Sequence, residues 1–474
     1  MKASMLDSHF SRSDRSQRLS VVALVTLASI LTWWNAAPAT GAEVAPTTGE
    51  PLVIRRTTRE PSRISIPTFD AGGSASALKQ NNFHDIIYND LEMTGYFQRG
   101  NNQDFIEETH RADVKSGSVD FAEWKRLSAD FMVAGKFEVS GDKLDVTCIL
   151  YYVPSGKRFI FAKQFTNTVD QQRVLAHRIS DEIFHYLAAG EEGVANTKIL
   201  YVASIDPSRQ SREVWVMDAD GANARPVTNE NAGANSRVLV ATPCWGANAT
   251  EVYFTSYRDY NPDLCGIYLK GGASWFISRF PGLNVSPSWS QARQRIALTL
   301  GKDGNSEIYT MDRNKANLKR LTFGKSIDSS PCWSPTGDDI AFTSDETGSP
   351  QIYIMDAEGG NRRRISNVGS NWCDGAAWAP KGDKIAFAAR VNGHFDIFIC
   401  EVDGSNPRQM TSGQADNEDP SWSPNGLMLT FTSNRTGSMQ IYVMCSDGSN
   451  QRQLTRTGHN ISPAWSPFLY ARPK

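Results

Sequence analysis

The fold is decided by the stretch Pro331-Cys-Trp-Ser-Pro-Thr-Gly-Asp-Asp-Ile-Ala-Phe-Thr-Ser344, which is followed by Gln351-Ile-Tyr-Ile-Met-Asp356. Similar copies of this stretch occur six times in the 474-residue chain, and a tryptophan marks each of them. The marker residues, 43 to 45 positions apart, are Trp245, Trp289, Trp333, Trp378, Trp422 and Trp465. A repeat of this length that contains several short strands is typical of the blades of a β-propeller.

Each copy contains four short segments that predict strands. The Trp segment ends in a Ser-Pro-x-Gly turn, in which Pro335 fixes φ and Gly337 permits a positive φ. The next two segments, Ile340–Ser344 and Gln351–Asp356, are rich in the apolar and β-branched residues of buried strands. A pair such as Leu321-Thr322 ends the fourth segment. Every copy therefore predicts one four-stranded blade.

The ends of the repeat array interlock. The first copy begins with its second strand, at Ile199–Ser204, whereas the last copy stops just after its first strand, around Trp465. The C-terminal strand is therefore expected to complete the first blade, which closes the ring and leaves no open sheet edge. A solenoid, the alternative, would need capping units instead of interlocking ends. We predict a mainly β protein with a six-bladed β-propeller over residues 194–474.

The N-terminal region lacks the repeat. Basic residues precede an apolar run at Leu19–Trp34 and small residues follow it, which predicts a cleaved signal peptide over residues 1–42 rather than a membrane anchor. Residues 43–51 are expected to form a flexible N-terminus of the mature protein. Alternating segments and helical spacing at Gln171–Leu187 predict a small α/β domain over residues 52–193. The mature protein is therefore expected outside the cytoplasm.

Composition and motifs narrow the function. A net charge of −2 favours neither nucleic acid nor an anionic membrane surface as a partner. The seven cysteines include no Cys-x-x-Cys spacing, and no hydrolase, zinc-protease or phosphate-loop motif occurs, so we predict no enzyme activity, cofactor or metal. The turn Asp218-Ala-Asp220-Gly221 superficially resembles a calcium loop, but a tight hairpin is required at that point of every blade.

A polar pair lies five and three positions before the tryptophan in four of the copies. Because the first strand of a blade lines the channel, these residues are expected to form an exposed polar ring at one mouth, where a partner would bind. The alternative is that they cap loops through Asx and Ser hydrogen bonds, and both roles are compatible. The eight residues are Asn284, Ser286, Asp328, Ser330, Asn417, Asp419, Asn460 and Ser462.

The tandem Pro-x-Trp-Ser-Pro-x-Gly and Ile-Tyr-x-Met-Asp units resemble the propeller repeat of the TolB family. Asp90–Phe97 and Trp124–Gly135 are similar to elements of the TolB N-terminal domain, and His177–Val202 resembles its junction with the propeller. The resemblance covers nearly the whole mature chain in the expected order. The second copy departs from the pattern, because Gly246-Ala247 follows its tryptophan.

The resemblance implies a periplasmic, non-catalytic scaffold of the Tol–Pal system, which supports outer-membrane integrity and cell division. The implied partners are a Pal-like peptidoglycan-associated lipoprotein at the propeller and a TolA-like inner-membrane protein at the N-terminal segment. That segment contains Leu52, Val53, Ile54 and Arg55, and its β-branched residues are equally compatible with a core strand of the α/β domain. The alternative function is a secreted propeller with a peptidase-associated or glycan-binding role.

Overall fold

The chain forms two compact units. A computed structural model describes residues 60–71, 82–116, 118–156, 158–204, 211–230 and 238–469. The expected signal peptide and the segment with Leu52, Val53, Ile54 and Arg55 lie outside these residues. One unit contains Ser62–His84 and Gln98–Asp170, and the other contains Asp85–Phe97 and Gln171–Lys474. Among the described helices, none combines the length and the apolar character that a membrane span requires.

The first unit is built around a five-stranded sheet with the order β2-β1-β3-β4-β5. Its strands are β1 (Ser62–Ser65), β2 (Phe97–Arg99), β3 (Phe131–Ser140), β4 (Lys143–Tyr152) and β5 (Arg158–Thr168). The first strand runs parallel to β3, whereas β3, β4 and β5 are antiparallel neighbours. The helices described in the chain are α1 (Phe83–Met93), α2 (Gln103–Ser116), α3 (Phe121–Arg126) and α4 (Gln172–Leu187).

Two side chains join α2 and α3 in the first unit. The indole Nε1 of Trp124 donates a hydrogen bond of 2.7 Å to the carboxylate of Asp113, and both groups are buried. Helix α3 begins at Asp120, whose side chain accepts from the backbone N–H of Ala122. Such an N-cap satisfies a backbone donor that would otherwise have no partner in the first turn.

Within the described residues, the second unit contains six four-stranded antiparallel sheets, which confirms the predicted propeller. Blade 1 consists of β29 (His459–Trp465), β6 (Lys198–Ser204), β7 (Glu213–Asp218) and β8 (Arg225–Pro226). Blade 2 consists of β9 (Val240–Trp245), β10 (Glu251–Ser256), β11 (Asp263–Tyr268) and β12 (Trp275–Ser278). Blade 3 consists of β13 (Asn284–Ser290), β14 (Arg295–Leu300), β15 (Glu307–Asp312) and β16 (Lys319–Arg320).

The last three blades are continuous in sequence. Blade 4 consists of β17 (Asp328–Trp333), β18 (Asp339–Ser344), β19 (Gln351–Asp356) and β20 (Arg363–Arg364). Blade 5 consists of β21 (Cys373–Trp378), β22 (Lys384–Val391), β23 (His394–Glu401) and β24 (Arg408–Gln409). Blade 6 consists of β25 (Asn417–Trp422), β26 (Met428–Ser433), β27 (Gln440–Cys445) and β28 (Arg452–Gln453).

Blade 1 is assembled from both ends of the propeller sequence. Its inner strand β29 pairs with β6 in an antiparallel register that runs from His459 opposite Ser204 to Trp465 opposite Ile199. The inner strands also contact one another around the ring, since β29 touches both β25 and β9. The last strand therefore completes a sheet that would otherwise expose an unpaired edge at β6.

Every inner strand contains one residue in the left-handed backbone region, at the same position of the repeat. The six residues, with φ between 46° and 69°, are Thr242, Ser286, Ser330, Gly375, Asp419 and Ser462. Each lies at an irregularity of the ladder with the second strand. A proline follows in five blades, and Ala376 follows in blade 5. Proline has no N–H, so it fits where a bulge interrupts the ladder.

Two of the repeated tryptophans connect neighbouring blades through their indole N–H groups. The indole Nε1 of Trp245 in blade 2 donates to the carbonyl of Ala464 in blade 1 at 2.8 Å. The indole of Trp422 in blade 6 donates to the carbonyl of Ala377 in blade 5 at 3.0 Å. Aromatic side chains provide large apolar contact areas, and a hydrogen bond satisfies the polar end of the indole. Trp245 and Trp422 therefore act as packing anchors between adjacent blades.

Candidate partner-binding mouth of the propeller channel

The structure buries the first member of each predicted polar pair. The Asn284 side chain accepts from the backbone N–H of Phe280 at 2.9 Å and donates to the carbonyl of Gly282 at 3.0 Å. The expectation that these first members are exposed is therefore wrong, because the three asparagines satisfy backbone carbonyls beside the inner strands and Asp328 binds a guanidinium. The four residues, each at most 3% exposed, are Asn284, Asp328, Asn417 and Asn460.

Asp328 also forms a buried ion pair within its blade. The guanidinium of Arg362 donates to both of its carboxylate oxygens, at 2.9 and 3.2 Å. The same guanidinium lies over the rings of Phe342 and Tyr353. A charge reversal at Asp328 would place a buried positive charge against Arg362, whose other counter-charge is Glu346 at 2.9 Å, so this position is unsuitable for probing partner binding.

The second members of the pairs occupy the bulges of the inner strands and are partly buried. The Asp419 carboxylate in blade 6 accepts from the backbone N–H of Ser462 at 3.1 Å and from its hydroxyl at 3.2 Å. These bonds join blade 6 to β29 of blade 1, where the ring closes. We refer to Ser286, Ser330, Asp419 and Ser462 as the channel ring; that they contact a partner stays a prediction.

One side of the channel is acidic. Burial raises the pKa of Glu418 from 4.5 to about 7, and the nearby carboxylates of Asp419, Asp416 and Asp374 add to this effect. Burial also raises the pKa of Asp419, although its hydrogen bonds with Ser462 oppose the shift. A basic group of a partner would relieve the mutual repulsion of these carboxylates.

Exposed apolar side chains lie at the mouth of the channel in four consecutive blades. Each is located six positions before the repeated tryptophan, immediately before the inner strand begins. We call them the apolar rim: Leu239 (38% exposed), Leu283 (38%), Ile327 (53%) and Trp372 (42%). The corresponding residues of blades 6 and 1 are Asp416 and His459, so the mouth has an apolar side and a polar side.

Backbone hydrogen bonds hold the rim in place. The carbonyl of Leu239 accepts from Tyr257 at 3.0 Å, that of Leu283 from Gly301 at 2.9 Å, and that of Trp372 from Arg390 at 2.9 Å. Each donor lies at or just after the end of the second strand of the same blade, so the rim residues are fixed to the sheet while their side chains stay exposed. Exposed apolar side chains at the same position of neighbouring blades favour a site that binds another protein.

The sequence analysis identified the polar pairs and missed the apolar rim. A signal was present, because an apolar residue occurs six positions before the tryptophan in four of the six copies. The pattern does not show which end of a strand remains open, since both ends of each blade carry turns. The structure places Glu92, Glu191 and Glu192 at the other end, where the carbonyl of Glu92 accepts from Asn450 at 2.9 Å.

Comparisons with known proteins agree with this architecture. Family models match the TolB beta propeller domain at residues 185–469 and the TolB amino-terminal domain at residues 51–159. This chain belongs to the TolB family. Relatives called "Tol-Pal system protein TolB" from Desulfosudis oleivorans and Rickettsia africae are 31% and 30% identical to it, over 55% and 54% of this chain. The chain spans 57% and 56% of the length of these relatives.

A solved TolB structure shares the fold. The crystal structure of TolB from Acinetobacter baumannii superposes with a TM-score of 0.75 and covers 86% of this chain and 98% of that protein. The sequence identity is 24%, so this similarity shows the fold alone. The predicted TolB family membership, together with the propeller and the preceding α/β region, is confirmed.

Proposed function

We propose that this TolB-family protein is a periplasmic, non-catalytic scaffold of the Tol–Pal envelope system and contributes to outer-membrane integrity and cell division. A Pal-like peptidoglycan-associated lipoprotein would bind at the propeller mouth. A TolA-like inner-membrane protein would bind the N-terminal segment with Leu52, Val53, Ile54 and Arg55. Family membership supports the assignment to the system, and the sequence lacks hydrolase motifs that would favour an enzyme.

The apolar rim is the observation that carries the proposal for the propeller. Its four residues occupy the same position of four neighbouring blades and have hydrogen-bonded backbones, so they are preorganised and lose little entropy on binding. Trp372 and Ile327 are its most exposed members. Aromatic and large aliphatic residues near the centre of an interface commonly provide most of the binding energy.

The acidic side of the channel gives the mouth a second kind of contact. Glu418 and Asp419 lie beyond the rim, on the inner strand of blade 6, while the rim occupies blades 2 to 5. A partner that matches this surface has an apolar protrusion with a basic group on one side. Such complementarity favours one orientation of the partner and suppresses others.

Substitution of the rim tests the proposed binding site. We expect the double variant Ile327→Ser and Trp372→Ala to weaken binding of the purified lipoprotein domain at least about 30-fold, since two central contacts are removed. Isothermal titration calorimetry would measure the affinity. Phe105→Ala is the matched control, because Phe105 is 54% exposed on α2 of the other unit and should leave binding unchanged.

Two results would count against the rim as the site. The first is wild-type affinity of the double variant when its thermal melting matches the parent. The second is an equal loss of binding in the Phe105→Ala control, which would indicate a general surface effect. Hydrolysis of peptides by the purified wild-type protein would favour the alternative, peptidase-associated function.

The N-terminal segment has its own test. An extended segment can add to the edge of a partner's sheet through main-chain hydrogen bonds, and we propose that it binds a TolA-like protein in this way. If this is its role, a protein without residues 43–55 should melt like the parent and lose TolA binding in a pull-down with purified domains. Loss of stability in the first unit would identify a core strand instead, and retained TolA binding would eliminate the recruitment role.

A further inference from the structure

A buried histidine lies where two helices meet blade 1, and all three elements belong to the same compact unit. The Nδ1 atom of His177 on α4 is 2.8 Å from the carboxylate of Asp90 on α1. The hydroxyl of Ser180 donates to the same carboxylate oxygen at 2.7 Å. The side chains of His177 and Asp90 are only 3% and 1% exposed. This pair therefore links α1 to α4 without contact to bulk water.

The other side of the imidazole faces the turn after β7. Its Nε2 atom is 4.0 Å from the Asp218 carboxylate. Lys198 donates to Asp218 at 2.6 Å, and the Arg173 guanidinium bonds to both Asp218 and Asp220. Helix α4 is thus joined to this turn of blade 1 through the ion pairs of Arg173, and Asn89 on α1 donates to Asp220 at 3.4 Å.

Charge balance in this cluster depends on one proton. The carboxylates of Asp90, Asp218 and Asp220 contribute three negative charges when ionised, and Arg173 and Lys198 supply two positive charges. A proton held by the Asp90–His177 pair supplies the third. Without it, a buried carboxylate has no compensating charge, and an uncompensated buried charge is strongly destabilising. Burial raises the pKa of Asp90, although His177 opposes the shift, so this carboxyl group also favours a pair that holds a proton.

The local environment favours retention of that proton. Burial alone lowers the pKa of His177, but the carboxylate of Asp90, which also hydrogen-bonds to the ring, and the carboxylate of Asp220 raise it above its ordinary value of 6.5. Arg173 opposes this shift to a smaller extent. The imidazole therefore keeps its proton to a higher pH in the folded protein than in the unfolded chain.

A further carboxyl group faces the cluster from α4. Asp181 accepts hydrogen bonds from the backbone N–H groups of Ala195 at 2.7 Å and Asn196 at 3.1 Å. Burial raises the pKa of Asp181 to about 7, and the nearby Asp90 carboxylate adds to the shift. Its effect on stability changes between its ordinary pKa of 3.8 and about 7, so measurements above this range report on the Asp90–His177 pair without it.

A divalent cation, instead of a proton, is the alternative occupant of the Asp90–His177–Asp220 cluster. Among the described residues, Asp90, His177 and Asp220 offer ligand atoms within 4.8 Å of one another, and Nε2 of His177 has no hydrogen-bond partner. Arg173 and Lys198 already neutralise the two turn carboxylates, however, and their charges repel an incoming metal ion. The cluster is therefore better suited to a proton than to a metal.

We propose that this cluster is a proton-dependent latch, in which the proton between Asp90 and His177 holds α1 and α4 against blade 1. The pKa of His177 is raised on folding. The protonated imidazole therefore stabilises the folded protein fully below about pH 6.5, and this stabilisation is lost as the pH rises through the pKa of His177 in the folded protein. One proton is released when α1 and α4 open from blade 1. The equilibrium constant for this opening therefore increases about tenfold for each further pH unit, until the pH passes the pKa of His177 in the folded protein.

Hydrogen exchange of the full-length protein between pH 7.5 and pH 9, above the range in which Asp181 changes stability and corrected for the intrinsic pH dependence, tests the latch. We expect the protection of amides in α1 and α4 to fall with pH in the wild type, while strands of blade 4 remain protected. The variant His177→Gln should lose this pH dependence. His185→Gln is the matched control, because His185 lies on the same helix and is not part of the cluster, so it should behave like the wild type.

Three outcomes would overturn the proposal. The first is a His177→Gln variant with the same pH dependence as the wild type, and the second is a wild type without any. The third is restored protection at pH 9 when Zn²⁺ or Mn²⁺ is added to the wild type but not to His177→Gln, which would identify a metal site. If His177→Gln does not fold, Asp90→Asn replaces it, since loss of the carboxylate should also abolish the pH dependence.

Discussion

The turns between the third and fourth strands of blades 1 and 4 have nearly the same sequence and very different surroundings. They read Asp218-Ala-Asp-Gly-Ala-Asn223 and Asp356-Ala-Glu-Gly-Gly-Asn361. In both turns the amide of the last residue donates to the first aspartate, at 2.7 and 2.9 Å. The acidic side chain in the middle is 4% exposed in blade 1, at Asp220, and 74% exposed in blade 4, at Glu358.

The difference comes from segments outside the blades. In blade 4, backbone N–H groups of Gly360 and Glu358 lower the pKa of Asp356, so the carboxylate accepts hydrogen bonds within its own turn. In blade 1, burial opposes ionisation of Asp218, but its hydrogen bond and ion pair with Lys198 prevail and lower the pKa. The same local sequence therefore makes the same hairpin, and α4 determines whether its carboxylates take part in tertiary structure.

The largest effect is expected from breaking blade 1 itself. Removal of residues 459–474 deletes β29, so β6 loses its inner neighbour and the ring opens. We expect loss of the cooperative thermal transition of the propeller, measured by calorimetry. A protein that lacks only residues 470–474 should melt like the parent. Cooperative melting of the longer truncation at the parental temperature would contradict ring closure by β29.

A matched pair of substitutions compares the two turns directly. Asp220→Asn in blade 1 removes a carboxylate that bonds to Arg173, and a hydrogen bond with a charged group contributes on the order of 2 kcal/mol to stability. Glu358→Gln in blade 4 removes an exposed ion pair with Lys319 and should leave urea unfolding unchanged. Equal effects of both substitutions would show that α4 adds nothing to the turn of blade 1.

A smaller effect is expected in the pH dependence below neutrality. The pKa of Asp181 rises on folding from 3.8 to about 7, so its contribution to stability declines as the pH increases between these values. Asp181→Asn should therefore gain stability relative to the wild type as the pH rises from 4 to 7, with a constant difference above that range. Parallel stability curves for the two proteins would show that Asp181 does not titrate as described.

Local patterns predicted what depends on neighbours in sequence. The hairpin at Asp218 follows from Asp, Gly and Asn at fixed turn positions, and the structure has its N–H bonded to the carbonyl of Ala222 at 2.8 Å. The six-bladed ring follows from the period of the tryptophans and from the interlocking ends. Both features can be predicted without knowing which residues make contacts across the fold.

Features that depend on distant segments were missed. The burial of Asn284 and Asp328 results from loop backbone and from Arg362, and the periodicity of the inner strand does not reveal either contact. The partners of His177 lie on α1 and in blade 1, far from it in sequence. The rim residue Trp372 has a regular position in the repeat, but its exposure depends on which end of the blade is covered.

Hydrogen exchange of the propeller with and without the lipoprotein domain tests the central claim, which is that the rim end of the channel binds this partner. We predict new protection in the segments 239–242, 283–286, 327–330 and 372–375, which contain the apolar rim and the bulges behind it. The turns at the other end, such as Ser334–Gly337 and Asp356–Asn361, should be unaffected. Protection confined to those turns, with the four rim segments unchanged, would contradict the account.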